Sequence, residues 1–125
     1  MPPNGENKED CIEIVQKVVE MANDNAFNEN MTDLHLCKTR PENHAFMIVH
    51  NYGFSDIRSF LSQLRIEDYC HTSCEDGKPD AYVFSPDSRE DFDIYLKLSI
   101  EDGVLVISFH EPHRKLTFPY RRTRK

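Results

Sequence analysis

Residues 91–111, DFDIYLKLSIEDGVLVISFHE, restrict the fold more than any other stretch of the chain. They read as two β-strands joined at Asp102-Gly103, residue types that accept the positive φ a tight hairpin turn demands. A two-residue turn there sets Glu101 opposite Val104. It then pairs Ile100 with Leu105, Leu98 with Ile107 and Leu96 with Phe109. All of the latter are apolar, so that face is expected to be core. The opposite face pairs Ser99 with Val106, Lys97 with Ser108 and Tyr95 with His110. Directly opposed residues have Cβ atoms about 4.5–5.5 Å apart. A phenol, an imidazole, an ammonium and a hydroxyl therefore converge on a space the size of one small anion.

The rest of the chain must cover the apolar face. Residues 1–8 contain Pro2, Pro3, Asn4 and Gly5, and are expected to be flexible. Over residues 9–23, Cys11, Ile12, Val15, Val18, Val19 and Ala22 fall at helical spacing. The Asn-rich stretch 24–33 reads as loop, and the alternation at Leu34-His35-Leu36-Cys37 as a short strand. Pro41 suits a first helical position. A second helix is expected from there to about Asn51, with Ala45, Ile48 and Val49 inward, Phe46 flanking and Gly53 as its stop. Ser55 reads as the N-cap of a third helix, with Ile57, Phe60, Leu61 and Leu64 as its apolar stripe. Residues 65–70 lead into the sheet, 75–79 form a turn, 81–84 a strand and 85–88 another turn. Pro112 ends the last strand. Helices first and strands last describe an α+β domain, with N-terminal helices packed on one face of a C-terminal antiparallel sheet. At 125 residues a single domain is expected.

Charge is divided along the chain. Arg114, Lys115, Arg121, Arg122, Arg124 and Lys125 fall in the last twelve residues; the first 113 hold nine bases against 22 acids, or −13, within a net charge of −7. Residues from about 114 to 125 read as a flexible tail that can bind polyanions. No run of apolar residues is long enough for a transmembrane helix. The acidic, polar MPPNGENKED lacks the pattern of a usual signal peptide, so the cytoplasm is expected, with Cys11, Cys37, Cys70 and Cys74 as reduced thiols.

The sharpest chemical signal is Tyr95 with His110. Histidine serves as general acid or base near neutrality, a phenol donates to developing charge, and Lys97 offers a cation to phosphate. The ordinary alternative is a solvated polar sheet face. His113 lies three residues beyond His110 and reaches the same site if the chain turns at Pro112. Cys70-His71-x-x-Cys74 has metal-ligating residue types but lacks an adjacent second pair, so no metal or other cofactor is expected. Gly-rich phosphate loops and the G-x-S-x-G motif do not occur.

Phe54-Ser55-Asp56-Ile57 through Leu64, Glu67-Asp68-Tyr69, Ile94-Tyr95-Leu96-Lys97 and Val106-Ile107-Ser108-Phe109-His110-Glu111 together resemble the MqsR-type toxins of type II toxin–antitoxin systems. The resemblance spans roughly residues 40–111. It implies a RelE/ParE-like α+β fold and metal-independent cleavage of messenger RNA by 2′-hydroxyl attack, inhibited by a cognate antitoxin. It implies catalytic roles for His110, Tyr95 and Lys97. Tyr69 matches the family's tyrosine after the last helix and is expected to line the RNA side with His71, Ser108, His113, Arg114 and Lys115. Cys70 stands where the family often has lysine. The competing expectation is an inactive interaction module that uses the same sheet face and the basic tail to hold a protein.

Overall fold

The structure, a computed structural model, describes residues 7–24, 27–100 and 103–120. Helix α1 spans Lys8–Asn23. Asn7 caps it by accepting from the Glu9 and Asp10 amides at 2.8 and 3.4 Å. Those two acids sit in the positive first turn, where the helix dipole favours them. Cys11, Val15, Val18 and Ala22 form its buried stripe. The short helix α2, Glu29–Asp33, runs straight into a π-helical turn at Leu34–Lys38. Helices α3, Pro41–His50, and α4, Phe54–Ser62, follow, then a 3₁₀ turn at Ile66–Asp68. Strands β1 (Tyr69–Ser73), β2 (Ala81–Phe84), β3 (Tyr95–Ile100) and β4 (Val104–His110) make one antiparallel sheet in sequential order. No helix among the described residues is long and apolar enough to cross a membrane.

The α+β architecture is as expected: α1 and α4 pack together, and their apolar side chains join Leu96, Leu98, Val104, Val106 and Phe109 in one core. Leu96, Leu98 and Phe109 are fully buried while Tyr95 is only partly so, which is the expected facing of the hairpin.

Its register differs near the turn. Ile100 pairs with Val104, Ser99 with Leu105 and Leu98 with Val106, whereas Lys97–Ser108, Leu96–Phe109 and Tyr95–His110 pair as expected. Ile107 is the extra residue of a β-bulge between these two blocks. The connection thus has three residues, not two. Gly103 lies at φ 112°, the positive φ that favours glycine, while Glu101 and Asp102 lie outside the described residues. The bulge puts Val106, not Ile107, in the core.

Five local expectations are corrected. Residues 34–37 are no strand: Asn28 caps α2 by accepting from the Met31 amide at 3.3 Å, and the helical path continues until Thr39 N bonds Leu34 O at 2.8 Å. Stretch 24–33, read as loop, therefore ends in a helix. Helix α3 is rotated from its expected facing, with Asn43, Phe46 and Met47 buried and Ile48 and Val49 exposed at 67% and 73%. It stops at Asn51 in the left-handed region, φ 59°, not at Gly53. Gly53, not Ser55, is the N-cap of α4, and its amide donates to Asp56 Oδ2 at 2.8 Å.

The rotation of α3 has a cause in β4. As the edge strand, β4 has outward backbone groups that need partners. Asn43 Nδ2 donates to Ile107 O and to His35 O at 3.1 Å each, and Asn43 Oδ1 accepts from Phe109 N at 3.1 Å. Thr32 Oγ1 accepts from Val106 N at 3.0 Å, and Asn28 N donates to Val104 O at 2.9 Å. Helix and π turn thus seal the edge with polar side chains. They also bring the N-terminus of α3, with Arg40 and Glu42, beside Ser108 and His110.

Candidate active site

The regular block of the hairpin builds the site. Tyr95 and His110 are cross-strand partners whose rings stack at 5.1 Å with 17° between planes. His113 stacks on His110 in turn, at 5.0 Å and 17°. These rings line a cleft of about 490 Å³ with Lys97, Ser108 and His71 of the sheet, Arg40 at the N-cap of α3, and residues 112–117 of the C-terminal segment.

His71 reaches the cleft through a second irregularity. A bulge between Tyr69 and His71 lets Tyr69 and Cys70 both be buried while His71 faces out. This corrects the expected role of Tyr69. Its ring is 2% exposed and packs on Phe84 and Tyr120, and its hydroxyl pairs with Thr72 Oγ1 at 2.6 Å. Tyr69 is a core residue. Tyr120 also receives the Cys11 thiol at 3.9 Å, so the segment after β4 is tied to the core this far. Arg121, Arg122, Arg124 and Lys125 of the expected basic tail lie outside the described residues.

The cleft wall is strongly cationic. Arg40, Lys97, Arg114 and Lys115 line it with three histidines, and the Glu42 carboxylate stands at its mouth against His113 and His110. Arg40 Nη1 donates to Ser108 Oγ at 3.2 Å, which fixes the guanidinium across the sheet. Burial, together with Cys70, pushes the Tyr95 phenol above its ordinary pKa, against the opposing pull of Arg40. Tyr95 therefore stays protonated and able to donate at neutral pH.

His110 is 9% exposed, and its Nδ1 lies 2.7 Å from Glu111 O. A carbonyl only accepts, so Nδ1 carries the proton and Nε2 keeps the lone pair in the neutral ring. His113 Nε2 donates to Glu42 Oε2 at 2.6 Å. That bond, with the charges of His110 and His113, holds the Glu42 carboxyl below its ordinary range. One ligand atom from each of Glu42, His110 and His113 lies within 4.8 Å of the others. Cys70, the extra residue at the β1 bulge, is buried beside the exposed His71.

A hollow of about 310 Å³ adjoins the cleft and shares Arg40 and Lys97 with it. Met31, Leu105, Ile107 and Ala81 make it more apolar. His35 also lines it, with a buried Nδ1 that has no hydrogen-bond partner and a pKa lowered by burial and by Arg40.

Compared with known proteins, the chain matches no protein-family model, no curated protein and no solved structure. The site thus stands on its own residues. Tyr95, Lys97, Ser108, His110, His71, His113, Arg114 and Lys115 all line one cleft; Tyr69 does not. Sequence reasoning missed Arg40 and Glu42. Both enter through α3, and the only signal for that is Asn43, a polar residue at a buried helix position.

Proposed function

We propose that this chain is an MqsR-like endoribonuclease with a RelE/ParE-like fold, cleaving messenger RNA through its own 2′-hydroxyl, without need of a metal, and restrained by a cognate antitoxin that covers the cleft. The reading rests on one observation: a proton-transfer group, a phenol donor and four cations line a single concave site. A wall with that many cations attracts a phosphodiester.

The chemistry follows from the groups. His110 Nε2 takes the proton of the 2′-hydroxyl as the 2′-oxygen bonds to phosphorus. The bond from phosphorus to the 5′-oxygen breaks, and His113 as imidazolium gives that oxygen its proton. Lys97 and Arg40 sit against the non-bridging oxygens, where charge develops, and the Tyr95 hydroxyl donates to them. The neighbouring apolar hollow takes the adjacent base. Products carry a 2′,3′-cyclic phosphate and a 5′-hydroxyl.

The test is cleavage of an RNA oligonucleotide, with and without ribosomes, beside copies with 2′-deoxyribose at the cut position. The expected results are cyclic-phosphate ends, full activity in chelator and an inert deoxy substrate. Intact RNA under every condition, or an active deoxy substrate, rejects the assignment.

A further inference from the structure

Glu42, His110 and His113 form a cluster that the cleavage chemistry does not explain as a set. The three come from α3, the end of β4 and the loop beyond it, and Glu42 and His113 are 71 positions apart. Glu42 Oε2 stands 2.6 Å from His113 Nε2 and 3.7 Å from His110 Nδ1. Two ligands on one zinc ion at about 2.0–2.1 Å each stand roughly 3.3 Å apart in a tetrahedron, so these spacings bracket what a shared ion requires.

We propose that Glu42, His110 and His113 bind one divalent transition-metal ion of the zinc class at the mouth of the cleft. Two imidazoles and a carboxylate are the donor set such ions favour, and they disfavour magnesium and calcium, which want oxygen alone. Three protein ligands leave a fourth position open to the cleft. His113 and Glu42 have side chains 69% and 51% exposed, so an ion reaches them and small side-chain shifts complete the geometry. His110 is anchored by the strand and is the rigid member.

The ion has a consequence for the proposed nuclease, and this part rests on that reading. A neutral imidazole has one lone pair. If the ion takes Nε2 of His110, the base is gone; if it takes Nδ1, the ring gives up its bond to Glu111 O, the proton moves to Nε2 and the base is gone again. Metal binding and RNA cleavage are therefore mutually exclusive, and the ion acts as an inhibitor at the active site.

Calorimetric titration of the metal-free protein with zinc tests the site without any RNA. One equivalent should bind, and magnesium should not compete. His113→Ala and Glu42→Gln, both at exposed positions, should each weaken binding more than about tenfold, since even groups that only orient a ligand are worth 10–100-fold. Cobalt tells nitrogen and oxygen donors from thiolates: this site should give no intense near-ultraviolet sulfur-to-metal charge-transfer band. Cys74→Ser should leave the titration unchanged. Binding that survives His113→Ala, that is lost in Cys74→Ser, or that never reaches one equivalent overturns the proposal. Inhibition of cleavage by zinc, reversed by chelator, supports the shared site. If zinc binds as expected but RNA is never cut, the nuclease reading fails and the metal site stands.

Discussion

Phe109 and His110 are neighbours in β4 and face opposite sides of the sheet. Phe109 is fully buried, and Phe46, Tyr52 and Phe60 pack around it at ring distances of 5.3–6.0 Å. His110 is nearly as hidden, yet its neighbours are Tyr95, His113, Glu42 and the cationic wall of the cleft. Burial alone does not separate the two. What separates them is the company: aromatic carbon on one side, groups that move or hold charge on the other. A single strand thereby carries the stability of the core on one face and the site chemistry on the other.

The largest effect expected from breaking this division is on the core side. Phe109→Ala should cost about 3–5 kcal/mol in a denaturant titration, the usual loss for a buried phenylalanine. A cost below about 1 kcal/mol, the scale of an ordinary surface change, would mean that the aromatic cluster is not the keystone of the core.

The sealed edge lies between the two faces, and Asn43→Ala sharpens the comparison there. It strands Ile107 O and Phe109 N, each of which costs about 1–3 kcal/mol when left buried and unpaired. Because Asn43 also holds the helix that carries Arg40, RNA affinity should fall along with stability. Loss of stability with unchanged affinity would separate the edge from the site.

A third effect is confined to the core face and to alkaline pH. Burial, with the hydrogen bond to Glu90, pushes the Tyr52 phenol up to about 12 from its ordinary 10. A pKa raised on folding contributes stability that is complete below the unfolded value and is lost as pH rises toward the folded one. Thermal stability of the wild type should therefore fall between about pH 10 and 12 more steeply than that of Tyr52→Phe. Parallel curves would remove Tyr52 from the account.

The smallest effect is expected from the far side of α3. Ile48→Ser and Val49→Ser should each stay within about 0.5 kcal/mol, as exposed positions do. Met47→Ala should cost about 2–5 kcal/mol. The reverse order would restore the helix facing that its hydropathy suggests.

These regions were not equally readable. The far block of the hairpin is legible because Tyr95-Leu96-Lys97-Leu98 alternates strictly, and alternation names the faces. The near block is not, because Val104-Leu105-Val106-Ile107 is apolar throughout and an inserted residue leaves no mark. The bulge at Ile107 cancels the longer turn, so the site pairs fall where a two-residue turn would also put them. Helix α3 misled for the opposite reason. Its inward polar residue serves strand backbone rather than water, and hydropathy cannot distinguish the two. Tyr69 was assigned by family position, while the bulge after it decides which side of β1 meets the cleft. Arg40 and Glu42 depend on that packing, so nothing local in the sequence announces them.

The division of labour between adjacent residues is tested most directly by His110→Gln, with single-turnover RNA cleavage and thermal unfolding measured on the same preparation. The account predicts a rate lower by a factor of about 10² to 10⁴, the worth of a positioned acid or base, in a protein that still unfolds cooperatively near the wild-type temperature. An unchanged rate, or a fold lost together with the activity, would contradict it.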